Sequence, residues 1–406
     1  MSAAHETVVV TGIGAHAGGS RSSSELYAMV LAGHSPAEWV SLAGVTGLMA
    51  AVVASDPILS GADLRRARSL DRAAQLALAA TRQAADQAGI SGAVDPTRVG
   101  VMMGTSRGPI TRTLETALQF ATGRLSASAS ADSTPGSISG LLAQVLKAGG
   151  PSATVVATCA SGATAIALGA LHLLADEADA VIVGGADAPV IPLIAAQLMA
   201  AGVTGRHESP ELTCRPYDVR RNGLVIGEGA AAMVLERESD ALRRGASILA
   251  RLTGWATGTD SGGRTGVTPD GDGMVRVVRR ALQRAEVGPD AIDHVNAHGT
   301  GTRLNDLVEG RALNTVFGNG RVPPVCSTKP ITGHCLGATA ALEAVIAIET
   351  LRGGCIPPTA NHEELDPEID LDVVAGEPRP ASLRRVLSTS LGFWGTQAAV
   401  IFERYD

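Results

Sequence analysis

The chain has 406 residues, of which 45% are hydrophobic and only 2% aromatic, with 48 glycines and a formal net charge of −7. That length is generous for one core and suits two packed halves, and the glycine-rich, apolar composition suits close-packed layers of helix and sheet rather than a disordered chain. No dense lysine–arginine block is present, which argues against nucleic acid as a partner, and no apolar run reaches the roughly 20 residues of a membrane span.

The N-terminus has no basic stretch leading into an apolar core, so no secretory signal is expected and a reducing cytoplasm is the default compartment. The first predicted element is a strand, "VVVTGIG" (8–14), running into a glycine turn. With "AHAGG" behind it, the run loosely fits a dinucleotide fingerprint. That fingerprint needs an acidic residue about 20 positions on, at the end of a second strand. Here that stretch is the helical "SSSELYAMVLAGH", and a tight turn explains the glycines better. "DLRRARSLDR" holds the most basic local run, Arg65, Arg66, Arg68 and Arg72. It reads either as a solvated helix face or as a docking patch for an acidic partner. Residues 71–88 are alanine-rich and helical, close at Gly89, and lead to a strand within "RVGVMMGTS" (98–106).

Thr154 to Ala157 read as a buried strand, after which Thr158-Cys159-Ala160-Ser161-Gly162 turns sharply into a long apolar helix. A cysteine at a helix N-terminus is favoured as thiolate by the helix dipole and free backbone N–H groups. It therefore reads as a nucleophile or as a buried structural thiol. The five cysteines (159, 214, 326, 335, 355) show no CxxC spacing, which argues against a disulfide framework and a zinc site.

The second part of the chain repeats the first. "ARLTGWA" (250–256) matches the opening strand, and "AAVIFER" (398–404) matches "AAMVLER" (231–237). Residues 272–286 carry a helical apolar stripe and lead to the strand "DHVNAHGTG" (293–301). "VCSTKPITGHCLGATAALEAVIAIETL" has the strand–turn–helix layout of the cysteine segment. A twice-repeated strand–helix alternation predicts an α/β fold of two related halves, residues 1–245 and 246–406, with Cys159 in the first and His298, Lys329 and His334 in the second. "NAHGTGT" sets His298 at a strand end, and "STKPITGHCLGA" sets Lys329 and His334 in a glycine-rich loop before a helix. Imidazole N–H groups there could stabilise an enolate oxygen or exchange protons. The other histidines lack such a setting and read as structural.

These motifs, with "CRPYDVRRNGLVIGEGAA" (214–231) and the C-terminal "GFWGTQ", resemble the β-ketoacyl synthases of the thiolase superfamily over nearly the whole chain. The resemblance implies a thiolase-like five-layered αβαβα fold and a dimer, with itself or with a different ketosynthase-like subunit, whose interface lies beside the nucleophile strands. It implies that Cys159 is acylated, that His298 and His334 assist malonyl decarboxylation, and that Lys329 fixes the site electrostatically. Asp306 and Glu309 would organise Lys329 and nearby loops. The N–H groups of Cys159 and Phe393 would form the oxyanion hole, with Phe393 also gating the acyl pocket. Thr300 and Thr302 would hold a phosphopantetheine arm. Arg65, Arg66, Arg68 and Arg206 would dock an acyl carrier protein. The implied reaction is decarboxylative Claisen condensation of a malonyl-type extender with the acyl chain on Cys159, in a bacterial type II polyketide or fatty acid pathway, without metal or redox cofactor.

Some residues depart from the family pattern. Trp394 stands where a glycine is usual and Gln397 where an asparagine is; altered gating of the pocket is the expectation for Trp394. Arg107 stands where the family has a small or apolar residue near the acyl pocket. It either turns outward to an acidic side chain or meets a polar or carboxylate-bearing substrate. "TDSGGRTGVTP" (259–269) lacks a frequent histidine and "STPGSISG" (133–140) a frequent asparagine. Three other functions compete: a non-catalytic chain-length-factor-like subunit, against which the Cys-His-His set argues; a thiolase, whose second cysteine is missing from "LGFWGTQ", leaving Cys335 structural; and a ketosynthase-like acyltransferase forming C–O or C–N bonds.

Overall fold

The structure is a computed structural model that describes residues 6–53, 57, 59, 61–264 and 267–406; of the segment 259–269, positions 265 and 266 lie outside the described residues. Its first half supplies β1 (Val8–Ala17), β2 (Val99–Gly104), β3 (Ser152–Val155), β4 (Ala180–Asp187) and β5 (Gly229–Arg237). The second supplies β6 (Ala250–Thr259), β7 (His294–Asn296), β8 (Val325–Cys326), β9 (Arg385–Leu391) and β10 (Thr396–Arg404). Their spatial order is β8-β7-β9-β10-β6-β1-β5-β4-β2-β3. Counted within each half, both run third, second, fourth, fifth, first. In both, the second strand is parallel to its two neighbours and the last pairings are antiparallel. The two sets of strands join where Val8–Val10 pairs with Ala250–Leu252.

Six helices complete five layers. α1 (Arg72–Ala88) and α2 (Ser137–Leu146) cover the outer face of the first sheet, and α4 (Asp272–Arg284) covers that of the second, with α5 (Arg303–Phe317) packed on it. α3 (Ser161–Leu174) and α6 (Thr339–Gly353) touch strands of both sheets and form the middle layer. α6 is buried on nearly every side, as a helix between two sheets must be, and its apolar residues run all round its axis rather than along one stripe. Asp71 caps α1 by accepting from the Ala73 N–H at 2.9 Å, and Gly89 ends it in the left-handed conformation.

Two expectations from the sequence need correction. The glycine turn comes later than Gly12 and Gly14: β1 runs unbroken to Ala17, with a register shift at Gly12, and the chain turns at Gly18–Gly19. Gly12 and Gly14 lie where a Cβ would come within 2.1 Å of the Ala84 and Ala80 carbonyl oxygens of α1. They are needed for close helix–strand contact. The strand before Cys159 is also not buried. β3 is the outermost strand, paired on one side only, and Val156 just beyond it is 58% exposed. Among the described residues no helix is long and apolar enough to cross a membrane.

Candidate active site

β3 passes through one 3-10 turn, Thr158–Ala160, into α3. The turn is sharp because Thr158 takes a left-handed φ of 48°. Ser161 braces it: its hydroxyl donates to the Thr105 carbonyl at 3.0 Å and accepts from the Ala157 N–H at 2.9 Å. Cys159 thus stands at the helix tip, only 9% exposed.

Both predicted histidines reach this thiol from the second half. His298 lies two residues beyond β7, and its N–H donates to Glu309 at 2.8 Å. His334 follows a short helix, Lys329–Thr332, and its backbone is pinned by first-half residues. It donates to the Val225 carbonyl at 2.7 Å and accepts from the Gly227 N–H at 3.0 Å. The rings meet edge to face with centroids 5.4 Å apart. Cys159, His298 and His334 each offer a ligand atom, all within 4.8 Å of one another. Thr339 Oγ1 is 3.0 Å from His334 Nδ1 and orients that ring. His298 Nδ1 is buried with no hydrogen-bond partner among the described residues.

Lys329 is fully buried, but the carboxylates expected to organise it lie elsewhere. Its ammonium pairs with Glu343 at 2.5 Å and donates to the His298 carbonyl. Glu309 instead shapes the histidine loop, accepting from the N–H groups of His298 and Gly299, the Thr389 hydroxyl and the Tyr217 hydroxyl. Asp306 accepts from the N–H groups of Tyr217 and Gly301. The sequence reading missed Glu343, although a lone glutamate in "TAALEAVIAI" was a signal for it. It also missed Asp187, which accepts from Thr105 Oγ1 and from the N–H groups of Ser106, Arg107 and Gly337 at 2.7–3.0 Å.

Burial dominates the electrostatics. It holds His298 and His334 well below the usual imidazole range, and the Lys329 charge pushes both further down; both rings are neutral at neutral pH. It pushes the Cys159 thiol up to about 12, against the pull of Lys329, Arg107 and the Phe393 N–H. The thiolate expected from the helix tip alone is therefore not the resting state, and the thiol must give up its proton as substrate arrives.

A cavity of about 410 Å³ opens onto these groups. Thr300 and Thr302 line it with their hydroxyls 2.8 Å apart, and Phe393, Trp394 and Arg107 line it too. The Phe393 N–H lies near enough to Cys159 to favour its thiolate slightly. Trp394 keeps a glycine-like φ of 61°, is 61% exposed, and has the Arg264 guanidinium 5.7 Å from its ring. Gln397 is buried and donates to Asp260 at 2.7 Å, anchoring the end of the loop. Arg107 does not turn outward to an acid: its side chain makes no hydrogen bond or ion pair among the described residues, and its Nε is buried. Arg65, Arg66, Arg68 and Arg206 are all exposed. Arg72 is not part of that patch, since it turns inward to Glu228 at 2.8 Å. Cys335 is buried, outside the cavity lining, and directed at the Thr332 carbonyl.

Residues 5–241 match the family described as "Beta-ketoacyl synthase, N-terminal domain", and residues 249–363 match its C-terminal domain. Among curated proteins, the chain is 36% identical over 421 residues to the tetracenomycin polyketide synthase ketoacyl synthase alpha subunit of Streptomyces glaucescens, covering 99% of this chain and 98% of that one. It is 43% identical over 254 residues to 3-oxoacyl-[acyl-carrier-protein] synthase 2 of Mycobacterium tuberculosis, covering 62% of this chain and 61% of that one. Among solved structures, the ishigamide ketosynthase/chain length factor superposes with a TM-score of 0.90 at 32% identity, over 99% of this chain and 100% of that one. A ketosynthase bound to a hexaketide, in complex with its type II acyl-carrier protein, superposes with a TM-score of 0.91 at 26% identity, over 99% and 100% of the two chains.

Proposed function

The chain belongs to the β-ketoacyl synthase family, and from that premise we propose that Cys159 carries the acyl chain while His298 and His334 serve the extender. It is an acyltransferase, a condensing enzyme of the kind used in bacterial polyketide and fatty acid assembly. The observation that supports the division of labour is the clustering of one thiol and two neutral imidazoles within 4.8 Å, on the wall of one cavity.

In the first step the Cys159 sulfur attacks the carbonyl of a carrier-bound thioester. The thiol proton passes to an imidazole, the new C–S bond forms, and the pantetheine sulfur leaves and takes the proton back. In the second step a malonyl thioester loses carbon dioxide. The enolate oxygen is held by imidazole N–H groups, which neutral rings can donate without strong competition from solvent. Its carbon attacks the acyl-Cys159 carbonyl, the oxyanion is met by the N–H groups of Cys159 and Phe393, and the Cys159 sulfur departs. Burial keeps both rings neutral, and the nearby Lys329 ammonium reinforces it. Decarboxylation itself provides the carbanion, so the scheme calls for no metal or redox cofactor.

Thr300 and Thr302 would hold the phosphopantetheine arm at the mouth. Arg65, Arg66, Arg68 and Arg206 would meet an acidic acyl carrier protein. The unpaired edge of β3 suits pairing with a second ketosynthase-like chain, identical or not. Five unpaired thiols suit a reducing cytoplasm.

Mass spectrometry of the protein after incubation with acyl-carrier thioesters tests the reading. The acyl mass is expected on the peptide containing Cys159 and is absent from Cys159→Ala. A folded protein that takes no acyl group at Cys159 overturns it. Release of carbon dioxide from malonyl-carrier separates a condensing enzyme from an acyltransferase forming C–O or C–N bonds.

A further inference from the structure

Arg107 occupies a place where a guanidinium is costly. Its Nε is buried, its side chain has no partner among the described residues, and it lines the cavity that holds Cys159. A half-buried guanidinium without a counter-charge, set on a cavity wall, points to a ligand that supplies the missing acceptor.

The backbone around it is held firmly. Asp187 accepts from the N–H groups of Ser106 and Arg107 and from Thr105 Oγ1, which fixes the loop after β2. The Gly337 N–H adds a fourth donor. With four donors on its two oxygens, Asp187 leaves the Arg107 guanidinium unpaired. The same loop touches the nucleophile turn, since Ser161 donates to the Thr105 carbonyl at 3.0 Å. Among the described residues, the only charged side chain lining the cavity besides Arg107 is Arg303 in the exposed first turn of α5, and no carboxylate lines it. Leu198, Val203, Leu224 and Leu336 provide apolar wall. The chamber therefore offers a greasy path, a half-buried unpaired guanidinium at Arg107 on a fixed backbone, and a second, exposed guanidinium at Arg303.

We propose that Arg107 selects an acyl chain ending in a carboxylate, held by the guanidinium while its thioester carbonyl lies at Cys159. The inference rests on the reading of Cys159 as the acylated residue. A purely hydrocarbon chain would cover the half-buried guanidinium without giving it an acceptor. A terminal carboxylate would form a charge-assisted, two-pronged hydrogen bond with it. Loading follows the chemistry above: the Cys159 C–S bond forms, the pantetheine C–S bond breaks, and the thiol proton moves to the departing sulfur.

The test uses pantetheine thioesters of hexanoate, of the six-carbon 5-carboxypentanoate, and of the methyl ester of the latter, with loading at Cys159 followed by mass spectrometry. The carboxylate is expected to load faster than hexanoate by about tenfold to a hundredfold, the range a charge-assisted hydrogen bond supplies. The methyl ester should behave like hexanoate. Arg107→Ala should bring the carboxylate-to-hexanoate ratio to near one, and Arg107→Lys should keep part of the preference. Hexanoate loading as fast as the carboxylate, a methyl ester as good as the free acid, or an Arg107→Ala variant that slows all three equally would overturn the assignment. If none of the three loads, the reading of Cys159 fails and takes this one with it.

Discussion

Removing the Glu343 carboxylate should destabilise the protein more than any exposed charge could, because its partner cannot leave. Lys329 and Glu343 are 0% and 1% exposed and 2.5 Å apart. Stripping one member of such a pair leaves an uncompensated buried charge, which costs about 3–5 kcal/mol. Glu343→Ala is therefore expected to lose that much in urea unfolding followed by circular dichroism. Removing both charges is a different perturbation. Lys329→Met with Glu343→Leu fills the same space with apolar groups, and such replacements are often neutral. The one group left unserved is the His298 carbonyl, to which Lys329 donates; a buried acceptor without a partner costs about 1–3 kcal/mol. The double variant should thus be more stable than Glu343→Ala and less stable than wild type. Its chemistry should also shift. Without the Lys329 charge both imidazoles titrate higher, so imidazolium forms at higher pH and the acid limb of malonyl decarboxylation moves upward. A Glu343→Ala loss below about 1 kcal/mol, or a double variant no more stable than the single, would refute the reasoning. A single variant that fails to fold beside a folded double variant supports it.

Trp394→Gly removes a left-handed non-glycine residue, a strain of roughly 1–2 kcal/mol, and gives up an exposed cation–π contact of about 0.5–1 kcal/mol. Stability should hardly change while the acyl-chain profile widens toward longer chains, and an unchanged profile from competitive loading would refute the gating role. His294 is fully buried and held down to about 4 by desolvation. The unfolded chain therefore takes up that proton first as the pH falls, and the stability His294 contributes is complete above about 6.5 and fades as the pH drops toward 4. The advantage of wild type over His294→Gln should shrink by about 1.4 kcal/mol per pH unit across that window; a constant difference in denaturant titrations would show that His294 is not buried neutral.

The parts of the site that could be read from sequence are those where chemistry and local geometry fall within a few residues. Cys159 announced itself by a strand, a turn and an apolar helix in immediate succession. His298 and His334 were visible because each stands among glycines and hydroxyls at the mouth of an element. The duplication was legible because strand patterns recur in the same order. What was hidden depends on contacts across the chain. Glu343 lies 14 residues from Lys329, and no local pattern says that it, rather than Glu309, faces the ammonium. Asp187 ends a strand as many aspartates do, and its four donors come from two distant loops. β3 read as buried because its residues are apolar or β-branched, but burial of an edge strand depends on what lies beyond the edge. Gly12 and Gly14 were read as turn residues, and only the approach of α1 reveals why a side chain is excluded there.

The two halves carry the same elbow put to different uses. Thr158 and Leu336 both take a left-handed φ, 48° and 47°; each opens a three-residue 3-10 turn, and each turn leads directly into a middle-layer helix, α3 or α6. Aligned on that turn, Cys159 corresponds to Gly337 and Ser161 to Thr339. Ser161 braces the first elbow through the Thr105 carbonyl, whereas Thr339 has its hydroxyl on His334. A Cβ at Gly337 would come within 2.4 Å of the Ser106 N–H and within 2.7 Å of Asp187. The second elbow therefore cannot carry a nucleophile without displacing the loop that positions Arg107. Duplication placed two helix tips side by side, and steric exclusion decided which could bear the thiol. The other became the platform that delivers an imidazole to it.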